Sequence, residues 1–424
     1  MPTLTRSSFD WDRERAFAGR VTGMKPSAIR EFLKLLGEPG MISFAGGIPD
    51  PELFPTDAIA EAASRITSDP ELCRGVLQYA ASEGHAQLRE WIAGHMAQLG
   101  VACTSDNIVI TSGSQQALDL LAKLFLDPGD TLLVTAPTYL GALQAFGVYE
   151  PAFASIDPGA VVPHRGQHAP KLAYLIPDFA NPTGETISRE ERERLLDAFA
   201  ELDTPVIEDA AYQALRFDGE PIPPLLALDV ARTGHIDRSR VIYAGTFSKT
   251  VAPGLRVGWI CAAREVVHKV VLARQASDLH GAMLDQAMLH DVVSRRFDEQ
   301  VRTLIPVYRH RRDVMLDALA RYMPAGTTWT RPDGGMFVWL TLPDGIDSND
   351  LLRESVETER IIFVPGTSFF ADGSGERHIR LNYTRSDDAT IVDGIERLAR
   401  LVARHADLAA YRTESRPSLA EAVS

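Results

Sequence analysis

From residue 104 to residue 265 the chain alternates two textures. Short, β-rich apolar runs are separated by stretches of helical pattern. The runs are "NIVIT" (107–111), "TLLVTA" (131–136), "LAYLIP" (172–177), "PVIED" (205–209), "VIYAG" (241–245) and "VGWICA" (257–262). Most are continuously apolar, as expected of strands covered by helices on both faces. Between them, "SQQALDLLAKLF" sets Ala117, Leu120, Leu121 and Leu124 at helical spacing, and "SREERERLLDAFAEL" (188–202) opens with a Ser-x-x-Glu capping box. The alternation predicts an α/β domain with a mainly parallel central sheet.

After residue 300 the pattern changes. An arginine-rich helical stretch (302–322) precedes "GGMFVWLTL" (334–342), a further helical pattern and "RHIRLNYT" (377–384), which together suit a smaller α+β unit. Near the start, "SAIREFLKLLG" (27–37) reads as an amphipathic helix ending at a glycine cap, followed by the loop "SFAGGIPDPELFP" (43–55). The expected organisation is an N-terminal arm with part of the small domain (1–60), a large domain (61–305), a small domain (306–412) and a flexible tail (413–424). Both chain ends then contribute to the small domain.

Composition narrows the class. With 424 residues, 45% hydrophobic and 24% charged, the chain reads as a soluble globular protein. Its 43 basic and 57 acidic residues leave a net charge of −14, which argues against a nucleic-acid or anionic-membrane surface. Cys73, Cys103 and Cys261 are far apart and read as reduced thiols of a cytoplasmic protein. The opening lacks a signal-peptide pattern, and no run reaches the ~18 apolar residues of a membrane span. The eleven histidines show no zinc-like spacing, so no metal site is expected.

In a sheet of this kind, ligand groups collect at strand ends and in the loops that follow. "NIVIT" runs into Ser112-Gly113-Ser114-Gln115-Gln116 ahead of a helix. Free amides and hydroxyls there suit a phosphate, and Ser114 serves equally as an ordinary N-cap. Past "TLLVTA", Tyr139 offers a ring face to a flat ligand or packs on a neighbour. Asn181, in "PDFANPTG" (177–184), sits in a turn. "PVIED" ends on Glu208-Asp209, with Tyr212 three residues on. A carboxylate at such a strand end needs either a helix to cap or a cation to meet, and a protonated ring nitrogen would serve.

In "TFSKTVAPGLRVGW" (246–259), Lys249 follows Thr246 and Ser248 and precedes Arg256. An amine beside a second cation has its pKa lowered and can attack an aldehyde, while the arginine forks onto a phosphate. The junctions together complement one molecule, a flat aldehyde with a phosphate and a basic ring nitrogen. That molecule is pyridoxal 5′-phosphate.

"SGSQQALDL", "NPTG", "EDAAY" and "SKTVAPGLRVG", in this order and spacing, resemble the fold-type I pyridoxal-phosphate enzymes of the class I/II aminotransferase family. Within the family, "SAIREFLKLLGEPGMISFAGGIPDPELFP" and "LQYAASEGHAQLREW" are most similar to the 2-aminoadipate aminotransferase group, itself related to kynurenine/aminoadipate aminotransferases and MocR-type effector domains. The resemblance implies a role for each matching residue. Lys249 would carry the cofactor as a Schiff base and shuttle the proton. Asp209 would hold the ring nitrogen protonated, Asn181 and Tyr212 would bond the phenolic oxygen, and Tyr139 would stack on the ring. Ser114, Gln115, Thr246, Ser248 and Arg256 would hold the phosphate. Tyr79 would reach the phosphate in a partner subunit, implying a homodimer with shared sites. Arg380 would clamp the substrate α-carboxylate, and Arg30, with Ser27 and Gly47 nearby, would meet a side-chain carboxylate. Pro26 and Trp259 depart from the group's pattern, and either could reshape the pocket.

The expected activity is transfer of an amino group from an L-amino acid to a 2-oxo acid such as 2-oxoglutarate, with ping-pong kinetics. The donor would be 2-aminoadipate, glutamate or a broad range of aromatic and aliphatic amino acids. A lyase or decarboxylase on the same cofactor is the alternative. A MocR-like sensor is disfavoured by the ~20 residues that precede the resemblance, fewer than a DNA-binding domain takes.

Overall fold

The computed structural model describes residues 17–24, 40–159 and 169–414. After the short β1 (Ile42–Ser43), seven strands build the central sheet: β2 (Ile108–Thr111), β3 (Thr131–Val134), β4 (Ala152–Ser155), β5 (Leu172–Leu175), β6 (Val206–Asp209), β7 (Val241–Thr246) and β8 (Gly258–Cys261). Their order is β2-β8-β7-β6-β5-β3-β4. Every pairing is parallel except those of β8, which runs against both neighbours. The fold is therefore α/β with a mainly parallel sheet. Each of the six apolar runs forms a strand, because a buried strand must be apolar on both faces. β4 escapes that signal, since it lies at the sheet edge with both end residues exposed.

Helices cover the sheet. Ser114–Phe125 follows β2 and buries Ala117, Leu118, Leu120 and Leu121. Arg189–Glu201 starts as expected: the Ser188 hydroxyl accepts from the Glu191 amide at 3.3 Å, and Glu191 returns the bond to the Ser188 amide at 2.9 Å. The arginine-rich helix differs from its expected extent. It spans Met283–Tyr322, beginning well before residue 302, and runs unbroken across residues 305 and 306 with Pro306 inside it. Its first half packs Leu289, Val292, Val293 and Phe297 into one core, and its second half packs Tyr308, Met315 and Leu319 into another. The apolar stripe continues through both halves, so one helix serves two cores.

A second sheet, antiparallel, holds β9 (Thr328–Trp329), β10 (Phe337–Thr341), β12 (Val364–Pro365) and β13 (His378–Asn382) in the order β12-β13-β10-β9. Between them in the chain, β11 (Ile361–Ile362) pairs in parallel with β1, so residues from the two ends of the chain meet. The last helix, Asp388–Glu414, carries two residues of the expected tail, 413 and 414. The helix expected at 27–37 and the rest of the tail lie outside the described residues.

Candidate active site

The parallel strands end on one side of the sheet, and their last residues and following loops close around one cavity of about 120 Å3. Ser114, Gln115, Tyr139, Asp209, Tyr212, Thr246, Ser248, Lys249 and Arg256 all line it.

Asp209 closes β6 and is 3% exposed. Its Oδ2 accepts the Tyr174 hydroxyl at 2.8 Å, whereas Oδ1 has no hydrogen-bond partner. Burial pushes the carboxyl up to about 6, against the pull of the Tyr174 hydroxyl, the Ala211 amide and the Lys249 charge. Helix capping falls instead to Glu208, whose oxygens accept the Leu225 and Leu226 amides at 2.8 and 2.9 Å. The Lys249 amine donates to the Gly47 carbonyl at 2.8 Å, bringing the N-terminal loop into the site. Burial, then the Arg380 and Arg256 cations, lower that amine to about 8.

The other end of the cavity is built from backbone. Gly113, at φ 82°, precedes the Ser114–Phe125 helix and offers no side-chain cap, so Ser114 is the first helical residue rather than the cap. Arg256, in the left-handed region at φ 51°, donates to the Ser112 and Pro253 carbonyls and stays solvent-accessible. A Cβ at Gly113 would lie 2.8 Å from the Arg256 guanidinium, and one at Gly258 within 2.9 Å of the Gly113 carbonyl carbon and the Ser114 nitrogen. Thr246 donates its hydroxyl to Ser248 at 2.9 Å. The Gln115 side chain is committed to the Gly141 carbonyl.

A third group connects elements of the two sheets. Asn181 donates to the Tyr212 hydroxyl at 3.3 Å and accepts from Arg380 Nη1 at 2.8 Å. Arg380, fully buried on β13, also bonds the Ala45 carbonyl and lies 4.3 Å from the Phe337 ring centroid, while its Nε has no partner. Gly47 is kept small by Phe337, which a Cβ would meet at 3.1 Å.

Tyr79 stands apart. It is 79% exposed, edge-on to His280, and does not line the cavity of its own chain. Ser27, Arg30 and Pro26 lie outside the described residues. Trp259 does not reshape the pocket, which corrects the expectation for it. Alternation along β8 turns Gly258 toward the helix start and Trp259 to the opposite face, where it covers Gly245 and packs against Phe247. Sequence reasoning passed over Tyr174, Phe337 and Phe369, whose ring centroid lies 5.1 Å from the Arg380 guanidinium, because aromatic residues in apolar strands and turns look like core.

These groups fit pyridoxal 5′-phosphate. The idle Asp209 oxygen suits a cationic ring nitrogen, the uncapped helix start beside Arg256 suits a phosphate, and a half-buried lysine with a lowered pKa suits an aldehyde. Among the described residues, no group of His, Cys, Asp and Glu could hold a metal ion, and no helix is long and apolar enough to cross a membrane.

The chain belongs to the aminotransferase class I and II family, whose model matches residues 39–156 and 170–398. It is 43% identical to a 2-aminoadipate transaminase of Thermus thermophilus, over 90% of this chain and 94% of that protein. It is 40% identical to an aromatic-amino-acid aminotransferase of Thermococcus litoralis, over 92% and 95%. The crystal structure of an α-aminoadipate aminotransferase from Thermus thermophilus, complexed with N-(5′-phosphopyridoxyl)-L-leucine, superimposes with a TM-score of 0.85 at 40% identity, covering 94% of this chain and all of that one. This protein is a pyridoxal-phosphate-dependent aminotransferase acting on amino acids and 2-oxo acids.

Proposed function

We propose that this aminotransferase takes its amino group from a broad set of L-amino acids, including 2-aminoadipate, glutamate and aromatic or aliphatic donors. It passes the group to a 2-oxo acid, 2-oxoglutarate, in a ping-pong cycle. Relatives named for 2-aminoadipate and for aromatic amino acids, at 43% and 40% identity, support that breadth. We further propose a cytoplasmic homodimer in which Tyr79 reaches the partner's cofactor phosphate.

The observation that carries the residue roles is the buried Asp209 carboxyl, with one oxygen idle, on the cavity that Lys249 also lines. Bound pyridoxal phosphate supplies an aldehyde for the donor's amino group and a ring that draws electrons from the donor's Cα. Asp209, oriented by Tyr174, holds the ring nitrogen's proton. Asn181 and Tyr212 would bond the phenolic oxygen, and Tyr139 would cover the ring. Ser114, Gln115, Thr246, Ser248 and Arg256 hold the phosphate. Arg380 orients the donor by its α-carboxylate through a forked pair. Lys249 Nζ, whose lowered pKa gives it a neutral fraction near pH 8, would take the proton from the donor Cα and deliver it to the former aldehyde carbon of the cofactor, C4′. Arg30, with Ser27 and Gly47, contacts an acidic donor side chain.

The test is a single-turnover half-reaction with amino acid alone. Wild-type holoenzyme should convert its aldehyde cofactor stoichiometrically to the amine with 2-aminoadipate, glutamate, leucine and phenylalanine. Lys249→Ala should slow this by about 10²–10⁴-fold, and Arg30→Ala should weaken the two acidic donors selectively. Release of carbon dioxide from these donors, or of pyruvate and ammonia from L-serine, without an acceptor, or equal losses across the panel in Arg30→Ala, would contradict the reading.

A further inference from the structure

Arg192 lies on the Arg189–Glu201 helix, outside the cavity, yet it is fully buried. A buried guanidinium must place its N–H groups on acceptors, and the acceptors show what it holds. Nη2 donates to the Pro177 carbonyl at 3.1 Å and Nε to the Ile187 carbonyl at 3.0 Å. Those two residues form the neck of one loop, and the Ile187 amide bonds the same Pro177 carbonyl at 2.8 Å. Nη1 donates to the Pro223 carbonyl at 3.0 Å, just ahead of the helix that Glu208 caps. One side chain thus joins the loop after β5 to the segment anchored beside Asp209.

Asp178 completes the arrangement. Its Oδ1 lies 2.8 Å from Arg192 and 3.0 Å from Arg216, and it is 3% exposed. Arg216 also lies over the Phe179 ring, 4.7 Å from its centroid. Phe179 sits at φ 53°, a conformation that a non-glycine residue keeps only where its surroundings over-determine it. Two residues further along the same loop is Asn181, which hydrogen-bonds both Arg380 and Tyr212.

We propose that Arg192, which reaches neither cofactor nor substrate, is a positioning residue for both. With Asp178 and Arg216 it fixes the Pro177–Ile187 loop so that Asn181 keeps Arg380 and Tyr212 in register. The inference rests on the roles given above to Asn181 and Arg380. It also explains why the arginine is buried at all: a surface ion pair would need no such set of carbonyls. Lysine cannot replace it, because a single ammonium cannot fork onto the loop neck and the Pro223 carbonyl together.

The test compares holoenzymes carrying Arg192→Met, Arg192→Lys or Asp178→Asn with wild type. The control is Arg232→Ala, which breaks a surface pair to Asp197 on the same helix. Loosening Asn181 should raise KM for the amino donor by about tenfold, with a smaller fall in kcat, the loss expected for one displaced charge-assisted hydrogen bond. It should also move the midpoint of the pH titration of the bound cofactor's absorbance by roughly half a unit or more, since Tyr212 and Asn181 would bond the phenolic oxygen. Asp178→Asn should change both readouts in the same direction but less, and Arg232→Ala should change neither. If Arg192→Met does not fold, Asp178→Asn and Arg192→Lys decide. A lower Tm in those two variants with KM and midpoint at wild-type values would make Arg192 merely structural and overturn the inference. Failure of the wild-type half-reaction would instead overturn the roles on which it rests.

Discussion

Asp209 and Lys249 carry opposite charges, and burial pushes each toward its neutral form. The sign of the resulting pH dependence follows from Asp209. Its folded value of about 6 stands above the ordinary 3.8, so the folded apoprotein binds the extra proton between these values. Stability therefore falls as pH rises from about 4 to 6, and the loss persists above. Asp209→Asn removes that term. The variant apoprotein should be more stable than wild type at pH 7.5 by roughly 1–3 kcal/mol, while binding pyridoxal phosphate more weakly. Glu208, raised to about 7, adds a similar slope to both proteins and cancels in the difference. Parallel Tm–pH curves for the two apoproteins between pH 4 and 8 would refute the assignment. At this scale the residue type and strand-end position of Asp209 and Lys249 were legible in the chain. Tyr174 was not, because nothing in "LAYLIP" marks its hydroxyl as aimed at the neighbouring strand.

Elements place these residues by close approach of backbone. β8 returns antiparallel between β2 and β7, and Gly258 lets it pass beside the start of the Ser114–Phe125 helix. A methyl group there would meet the Gly245 carbonyl oxygen and the Gly113 carbonyl carbon at 2.8 Å, all backbone and unable to yield cheaply. Gly258→Ala should weaken cofactor binding by at least about tenfold and cost on the order of 1–3 kcal/mol. Gly254→Ala, with open space around it, should do neither. Cofactor titration with thermal melts would check both, and a Gly258→Ala protein with wild-type affinity would contradict the packing argument. The six buried strands were readable because burial on both faces demands continuous apolar residues. The edge strand β4 and the true start of the Met283–Tyr322 helix were not, since partial exposure dilutes the one and a change of packing partner hides the other.

The whole molecule leaves Leu77 and Tyr79 more than 70% exposed, with Leu72 and Leu279 about half exposed, while Tyr79 touches His280 edge-on. Exposed apolar side chains of this size suit an interface between copies. The protein should sediment as a dimer, and Tyr79→Phe should preserve the dimer while lowering cofactor affinity about three- to tenfold, the loss of one hydrogen bond to phosphate. A monomer, or unchanged affinity in the variant, would remove Tyr79 from the site. What the amino-acid sequence determined by itself was the alternation of strands and helices and the chemistry offered at each strand end, because periodicity and residue type are local properties. Only the tertiary structure decided that Trp259 faces away, that Arg192 is buried and that Asn181 spans Arg380 and Tyr212. Those facts depend on which side of a strand or loop meets partners that only the fold brings together, Asn181 and Arg380 lying 199 residues apart, and no local pattern encodes that.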